Sequence, residues 1–313
     1  MRVGLRTIYD RMLYNLNNIT EELNKLHTQT ASGLKYEKPS DEPVDLVRAL
    51  SYRKSIKEIE RYQTSIREGK SFLRTMENAM KDLEDVVIRA KELALKAAND
   101  HLNPENRRAI AKEVNGLLEE ALALANTKHG SRFVFAGNKP TGYEDGHLPF
   151  ELEEIQVGED TREVVVYRGG AEDLYMGYAT DQKILVGKNG ESVISASGLF
   201  EALISLKRTL EANNEADPSQ EIEDIHTHID RLDQVLAHLT RERADLGARV
   251  DHLEMKENLY EDFKFTLKQN LADTEEADML EVATRLKAKQ TAYQAALAAA
   301  AKVMNLSLVN YLT

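Results

Sequence analysis

The segment MLEVATRLKAKQTAYQAALAAAAKVMNLSLVNY, residues 279–311, sets Met279, Ala283, Leu286, Gln290, Tyr293, Leu297, Ala300 and Met304 at alternating spacings of four and three. That rhythm places all eight on one stripe of a helix. From Thr291 onward Lys302 is the only charged residue, and Ala295, Ala296 and Ala298 to Ala301 leave the helix with little side-chain bulk. Another helix can approach such a surface closely. Alanine propensity alone does not hold it in water as a lone helix. The segment therefore predicts a surface that needs partners.

The opposite chain end mirrors it. Leu5, Ile8, Met12, Leu16, Ile19, Leu23 and Leu26 follow the same spacings, and Ser32-Gly33 predicts the stop. Burial along these two seams falls short of the backbone entropy lost in ordering both segments, so a two-helix hairpin needs other subunits to cover its remaining faces. The terminal segments are expected to be mobile in a free monomer and to order on assembly.

Between the ends the pattern predicts nested helices. Tyr36-Glu37-Lys38-Pro39-Ser40-Asp41-Glu42-Pro43 breaks the chain, with Ser40 a cap and Pro43 in the next first turn. A helix is expected from about Val44 to Asn99, carrying Ile56, Ile59, Ile66, Leu73, Met76, Met80, Leu83 and Val87 across an interrupting Gly69. Asn103-Pro104 starts another, expected to end near His129-Gly130. Arg132 to Val186 then turns glycine-rich. Phe133-Val134-Phe135, Arg162 to Arg168 and Lys183 to Val186 predict strands of a small insert. Helix returns at Gly198 to Leu210, capped by Ser197. Asp217-Pro218 opens the longest one, whose heptad seam runs Ile222, Ile225, Ile229, Leu232, Leu236, Leu239, Leu246, Val250 and Leu253, with Arg243 its one polar member. It continues through Tyr260, Phe263, Leu267 and Leu271 to an acidic joint at 273–278.

The expected fold is mainly α: a nested antiparallel helical bundle or coiled coil formed by both chain ends, with a small β-rich inserted domain. Three domains are predicted: 1–43 with 274–313, a rod of 44–131 with 197–273, and an outer insert, 132–196.

The 313 residues carry net charge −12, which argues against nucleic acid as a partner. With no cysteine, disulfides, thiolate metal sites and thiol nucleophiles are excluded. No membrane span is predicted, since 291–313 carries Lys302, Gln294, Asn305 and Asn310. Met1 to Thr7 lead into no apolar signal core, so the chain is expected to stay in the cytosol or to leave by a route that reads no cleaved signal peptide.

Catalytic signals are weak. His226, His228 and Asp230 stand two apart on a helix and face different directions, so they cannot converge on one ion. Gly169-Gly170 lacks the strand and helix of a phosphate cradle, and Asp41-Glu42 is explained by capping. No catalytic residue, metal or cofactor is predicted.

Three motifs carry a family resemblance. Gln29-Thr30-Ala31-Ser32-Gly33 with Lys38-Pro39-Ser40-Asp41-Glu42-Pro43, Gly130-Ser131-Arg132-Phe133-Val134-Phe135-Ala136-Gly137, and the tail Asn305-Leu306-Ser307-Leu308-Val309-Asn310-Tyr311-Leu312 resemble the flagellin superfamily over nearly the whole chain. The proline pair and the tail resemble the subunits that join flagellar hook to filament more than flagellin itself. Phe133 stands where the family usually has tyrosine.

The resemblance implies a structural subunit, not an enzyme. Its terminal helices would form an inner tube, its inner helices the next layer and its β insert the outer face. It implies a homo-oligomeric ring between hook-associated protein 1 and the flagellin filament. It also implies extracellular placement through the flagellar type III export apparatus, and a cytoplasmic chaperone on the C-terminal helix before export. The tube-forming face is expected at Leu286, Tyr293, Leu297, Met304, Leu308 and Tyr311, with Leu5, Ile8, Met12, Ile19, Leu23 and Leu26 opposite. A flagellin, or a cytosolic coiled-coil tethering or signalling protein, are the alternatives.

Overall fold

A computed structural model describes residues 2–312, except 37, 39–40, 99–103, 144–146, 158–159, 180–181 and 213–217. For residues 2–6, 8, 104, 157, 160, 218–219, 221 and 303–312 the backbone alone is described. The order is α1 (Arg2–Ser32), α2 (Pro43–Ala97), α3 (Pro104–Ala125), β1 (Lys128–His129), β2 (Arg132–Phe133), β3 (Phe150–Val157), β4 (Asp160–Tyr167), β5 (Leu174–Ala179), β6 (Gln182–Gly187), α4 (Gly190–Val193), α5 (Leu199–Ala212), α6 (Pro218–Glu275) and α7 (Met279–Leu312). The fold is mainly α, with a strand-bearing insert inside nested helices. Prolines open α2, α3 and α6, where a missing N–H costs nothing. The expected caps Ser40 and Asn103, and the Asp217 expected to open α6 with Pro218, lie outside the described residues.

The chain divides into two compact units: residues 1–59 with 262–313, and residues 60–261. In the second unit α2 and α6 run antiparallel, pinned by Lys70–Glu257 (2.5 Å), Arg74–Glu254 (3.8 Å), Glu84–Arg243 (3.0 Å) and Lys91–Asp233 (2.5 Å). The seam residues Leu73, Met76, Met80 and Leu83 are buried with Leu232, Leu239, Leu246 and Leu253 in one core that α3 and α5 complete. Arg243, the polar member of the heptad, meets a buried Glu84 across the helices.

Gly69 lies within α2, where the insert approaches. A Cβ there would come within 2.5 Å of Met176 Cε, the movable tip of a flexible side chain, and 3.1 Å of Val186 Cγ1, so the β5–β6 hairpin lies close against the helix at this glycine.

Among the described residues the insert holds three separate antiparallel two-stranded ladders: β1–β2, β3–β4 and β5–β6. The expected Phe133–Phe135 strand shortens to Arg132–Phe133, because Val134 to Ala136 turn inward and are buried. Strands β3 and β5 were not anticipated. They pair with the two that were, Phe150 opposite Tyr167 and Tyr175 opposite Leu185.

Helix α3 ends at Ala125, short of the expected His129-Gly130. The Asn126 amide donates to the carbonyl of Phe150, and the chain turns into β1. At the insert's far end the Tyr167 hydroxyl donates toward the carbonyls of Phe135 (3.0 Å) and Gly170 (3.1 Å) and accepts from the Gly190 N–H (3.2 Å). Burial pushes its pKa up to about 12. Lys188 bridges Glu242 (2.5 Å) and Asp245 (2.8 Å) on α6. Burial disfavours its charge, but these two hydrogen-bonded carboxylates outweigh that and hold the ammonium above its ordinary pKa. Ser197 caps as expected, its Oγ accepting from the Leu199 N–H at 3.2 Å.

Candidate assembly surface

Helices α1 and α7 pack along each other as the first unit's hairpin. The joint at its base is built from backbone. Gly33 adopts φ +73°, the left-handed conformation that ends α1. The next residues pair with the end of α6: the Lys35 N–H donates to the Glu275 carbonyl (2.8 Å), and the Ala277 N–H to the Gly33 carbonyl (2.8 Å). Lys35 Nζ donates to the Asp273 carbonyl (2.6 Å), the Tyr36 hydroxyl donates to the Thr274 carbonyl (3.3 Å), and Arg53 pairs with Glu275 (2.7 Å). Burial raises the Tyr36 pKa, with Asp45 and Glu275 adding to the effect. Asp278 caps α7 through the N–H groups of Leu280 (2.9 Å) and Glu281 (3.2 Å). The acidic joint expected at 273–278 thus does three things. It ends one helix, starts the next and receives the chain from α1.

Beyond the joint the hairpin is thinly packed. Among the described residues Leu26 on α1 and Val282 on α7 are its buried apolar residues. Met12, Ile19 and Leu23 are half-buried, as are Leu286 and Tyr293. Leu297 is exposed, 45% accessible. The side chains of Leu5, Ile8, Met304, Leu308 and Tyr311 lie outside the described residues, although α1 and α7 run through these positions.

The stripe that α7 turns toward α1 is Val282, Leu286, Lys289, Gln290, Tyr293, Ala296 and Ala300. It shares Leu286, Gln290, Tyr293 and Ala300 with the expected stripe but leaves Met279, Ala283 and Leu297 exposed on its flank. An alanine-rich helix has a wide arc of small residues, so more than one stripe keeps the rhythm. The ion pair of Glu22 with Lys289 joins the two helices in the observed register. A groove of about 340 Å³ remains open between them at Arg11, Met12, Asn15, Ala296 and Ala299.

Three exposed residues were missed on α1: Tyr9, Leu13 and Tyr14. Tyr9 and Leu13 stand four apart, a spacing that could have revealed a second stripe. Leu280, at 80% accessibility, was missed on α7. An isolated monomer rarely leaves so many large apolar groups on one slender element.

Elsewhere the chemistry is that of packing. His228 is buried in the α5–α6 contact, with Thr209 Oγ1 at 2.9 Å from Nε2 and Ser205 Oγ at 3.3 Å from Nδ1. His226 points to solvent. Among the described residues no three His, Asp or Glu side chains are grouped to hold a metal ion. None of their helices is long and apolar enough to cross a membrane.

A helical hairpin of both chain ends in one unit, and antiparallel helices carrying a strand-bearing insert in the other, define a flagellin-type subunit. The description "Bacterial flagellin N-terminal helical region" matches residues 6–139, and "Bacterial flagellin C-terminal helical region" matches residues 229–312. These two regions take up most of the chain, which belongs to the flagellin family.

Flagellar hook-associated protein 3 of Escherichia coli K12 is 24% identical and aligns over 98% of both chains. The protein of the same name from Salmonella typhimurium is 23% identical over 94% of both. Among solved structures, the flagellar junction protein FlgL from Legionella pneumophila superposes with a TM-score of 0.58 at 16% identity. It covers 73% of this chain and 100% of its own, a likeness of fold.

Proposed function

We propose that this chain is the subunit of the ring that joins the flagellar hook, through hook-associated protein 1, to the flagellin filament. The observation that carries the reading is the end-to-end match with hook-associated protein 3, 98% of both chains. The proline pair Pro39 and Pro43 and the tail 305–312 favour the same branch over flagellin. The role is structural rather than catalytic. The exposed Leu297 and the half-buried Met12, Ile19 and Leu23 of the α1–α7 hairpin belong to the tube-forming face. Leu5, Ile8, Leu26, Leu286, Tyr293, Met304, Leu308 and Tyr311 complete that assignment.

Three layers follow from this reading: 1–43 with 274–313 innermost, 44–131 with 197–273 as the rod, and 132–196 outermost. Export runs through the flagellar type III apparatus, with a chaperone holding α7 until then.

Immunogold labelling of intact flagella tests the assignment. A single band at the hook–filament boundary is the expected result. Label along the whole filament points to a flagellin, and label confined to the cell interior to a tethering protein. Purified protein that grows into long filaments would also favour flagellin.

A further inference from the structure

Two helix faces on this chain are complementary. The first is the outward side of α2 near its start, where Val44, Val47 and Leu50 are exposed, Val47 at 67%, and are followed by Lys54 and Lys57. The second is on α6, where Met255, 68% accessible, and Leu259 lie exposed between Asp251 and Asp262. The spacings 251, 255, 259 and 262 keep these four on one side of the helix. One face is apolar and basic, the other apolar and acidic. Among the described residues Lys54, Lys57, Asp251 and Asp262 have no ion-pair partner.

Each face is exposed within its own unit. Arg53 pairs with Glu275, so the start of α2 lies beside the last turns of α6. Lys70 pairs with Glu257, so the α6 face lies at the level of residue 70. Each face is left for another molecule.

We propose that the α2 face of one copy docks on the α6 face of the next. The inference rests on the ring reading and names the surface that would close the ring. The two helices match when antiparallel. Val47 to Lys54 spans roughly 10 Å and Leu259 to Asp251 roughly 12 Å, at about 1.5 Å per residue. Seating Val47 and Leu50 on Leu259 and Met255 therefore brings Lys54 to Asp251. At the apolar end Arg48, held by Asp45 only at 3.4 Å, comes within a turn of Asp262. Because the two faces differ, the contact is heterologous. Such contacts propagate from copy to copy and close into a ring when the rotation permits. The charges set orientation and exclude like-to-like docking, while the apolar groups supply the burial.

The cysteine-free chain makes the contact directly mappable. Cells lacking their own copy of this gene would produce the full chain carrying Val47→Cys together with Leu259→Cys, both at exposed positions. Their isolated flagella would be treated with a short bismaleimide. A ladder of covalent multimers from the double variant, and none from either single variant, is expected. Adding Lys54→Glu should remove the ladder, and Asp251→Lys on that background should restore it.

Flagella that carry the protein at the hook–filament boundary but give no ladder overturn the docking surface and leave the junction reading standing. Dimers from a single variant overturn it too, because they require like faces to meet. A ladder from protein found along the filament instead keeps the surface and overturns the junction reading.

Discussion

Asn126 and Phe150 hold each other through two hydrogen bonds. The Asn126 Nδ2 donates to the Phe150 carbonyl at 2.9 Å, and its Oδ1 accepts from the Phe150 N–H at 3.0 Å. One side chain thus plays the part of a neighbouring strand. It ends α3 and begins β3, and it seats the Phe150 ring against Tyr167 and Phe200. Asn126→Ala would leave a part-buried N–H and carbonyl without partners, a cost of about 1–3 kcal/mol. Urea unfolding followed by near-ultraviolet circular dichroism should show that loss in the unit of residues 60–261.

Glu84 is buried and meets Arg243 in the α2–α6 seam. Removing the arginine alone strands a carboxylate in an apolar core. Arg243→Leu is expected to destabilise by about 2–4 kcal/mol, less than a fully buried pair because the guanidinium is partly wet. Glu84→Leu added to it should recover most of the loss, since apolar groups of similar size pack well there. A double-mutant cycle on the urea midpoints checks both values.

His228 sits between Ser205 and Thr209 of α5, with Arg231 and Asp224 near it on its own helix. Burial, and then the Arg231 charge, lower its pKa, against a weaker opposite pull from Asp224. The folded chain therefore resists the proton that the unfolded chain takes up near the ordinary histidine value of about 6.5. This contribution to stability is whole above that pH and is lost as pH falls below it, at up to about 1.4 kcal/mol per pH unit. His228→Gln should flatten the slope of stability between pH 7 and 5. A slope unchanged by that substitution would move the effect to another group.

Leu297 lies exposed on a helix with few other large side chains. Leu297→Asp, or deletion of 300–313, should leave residues 60–261 folded and abolish filament attachment. Cells carrying the truncated form and bearing normal filaments would contradict this. Hydrogen exchange on dilute monomer should find weak protection over residues 5–30 and 280–310, whose described side chains are only slightly buried.

Much of the helical layout was legible because its signals are local. Three- and four-residue spacing marks a helix whatever it packs on, and Pro43, Pro104 and Pro218 mark starts through their own missing N–H. Gly33 marked a stop through its own positive φ. The heptad seam of α6 even announced its one polar exception, Arg243. The end of α3 was misjudged because its cause lies 24 residues away, in Phe150. Strand β3 escaped notice because Glu151-Leu152-Glu153-Glu154-Ile155 reads as soluble surface, and it becomes a strand only through the ladder it forms with β4.

For the assembly surface, the residues were written plainly and their partners were not. An alanine-rich terminal helix with one late charge declares that it must be covered, since its composition leaves it too thin to stand in water. Which of its stripes turns toward α1, and which is left outward with Leu297, depended on ion pairing and on the close fit of two surfaces. The same holds for the bare faces of α2 and α6. Their residues are ordinary in sequence, and only the antiparallel register leaves them uncovered. Periodicity is a property of one helix, whereas exposure belongs to a helix and all its neighbours together.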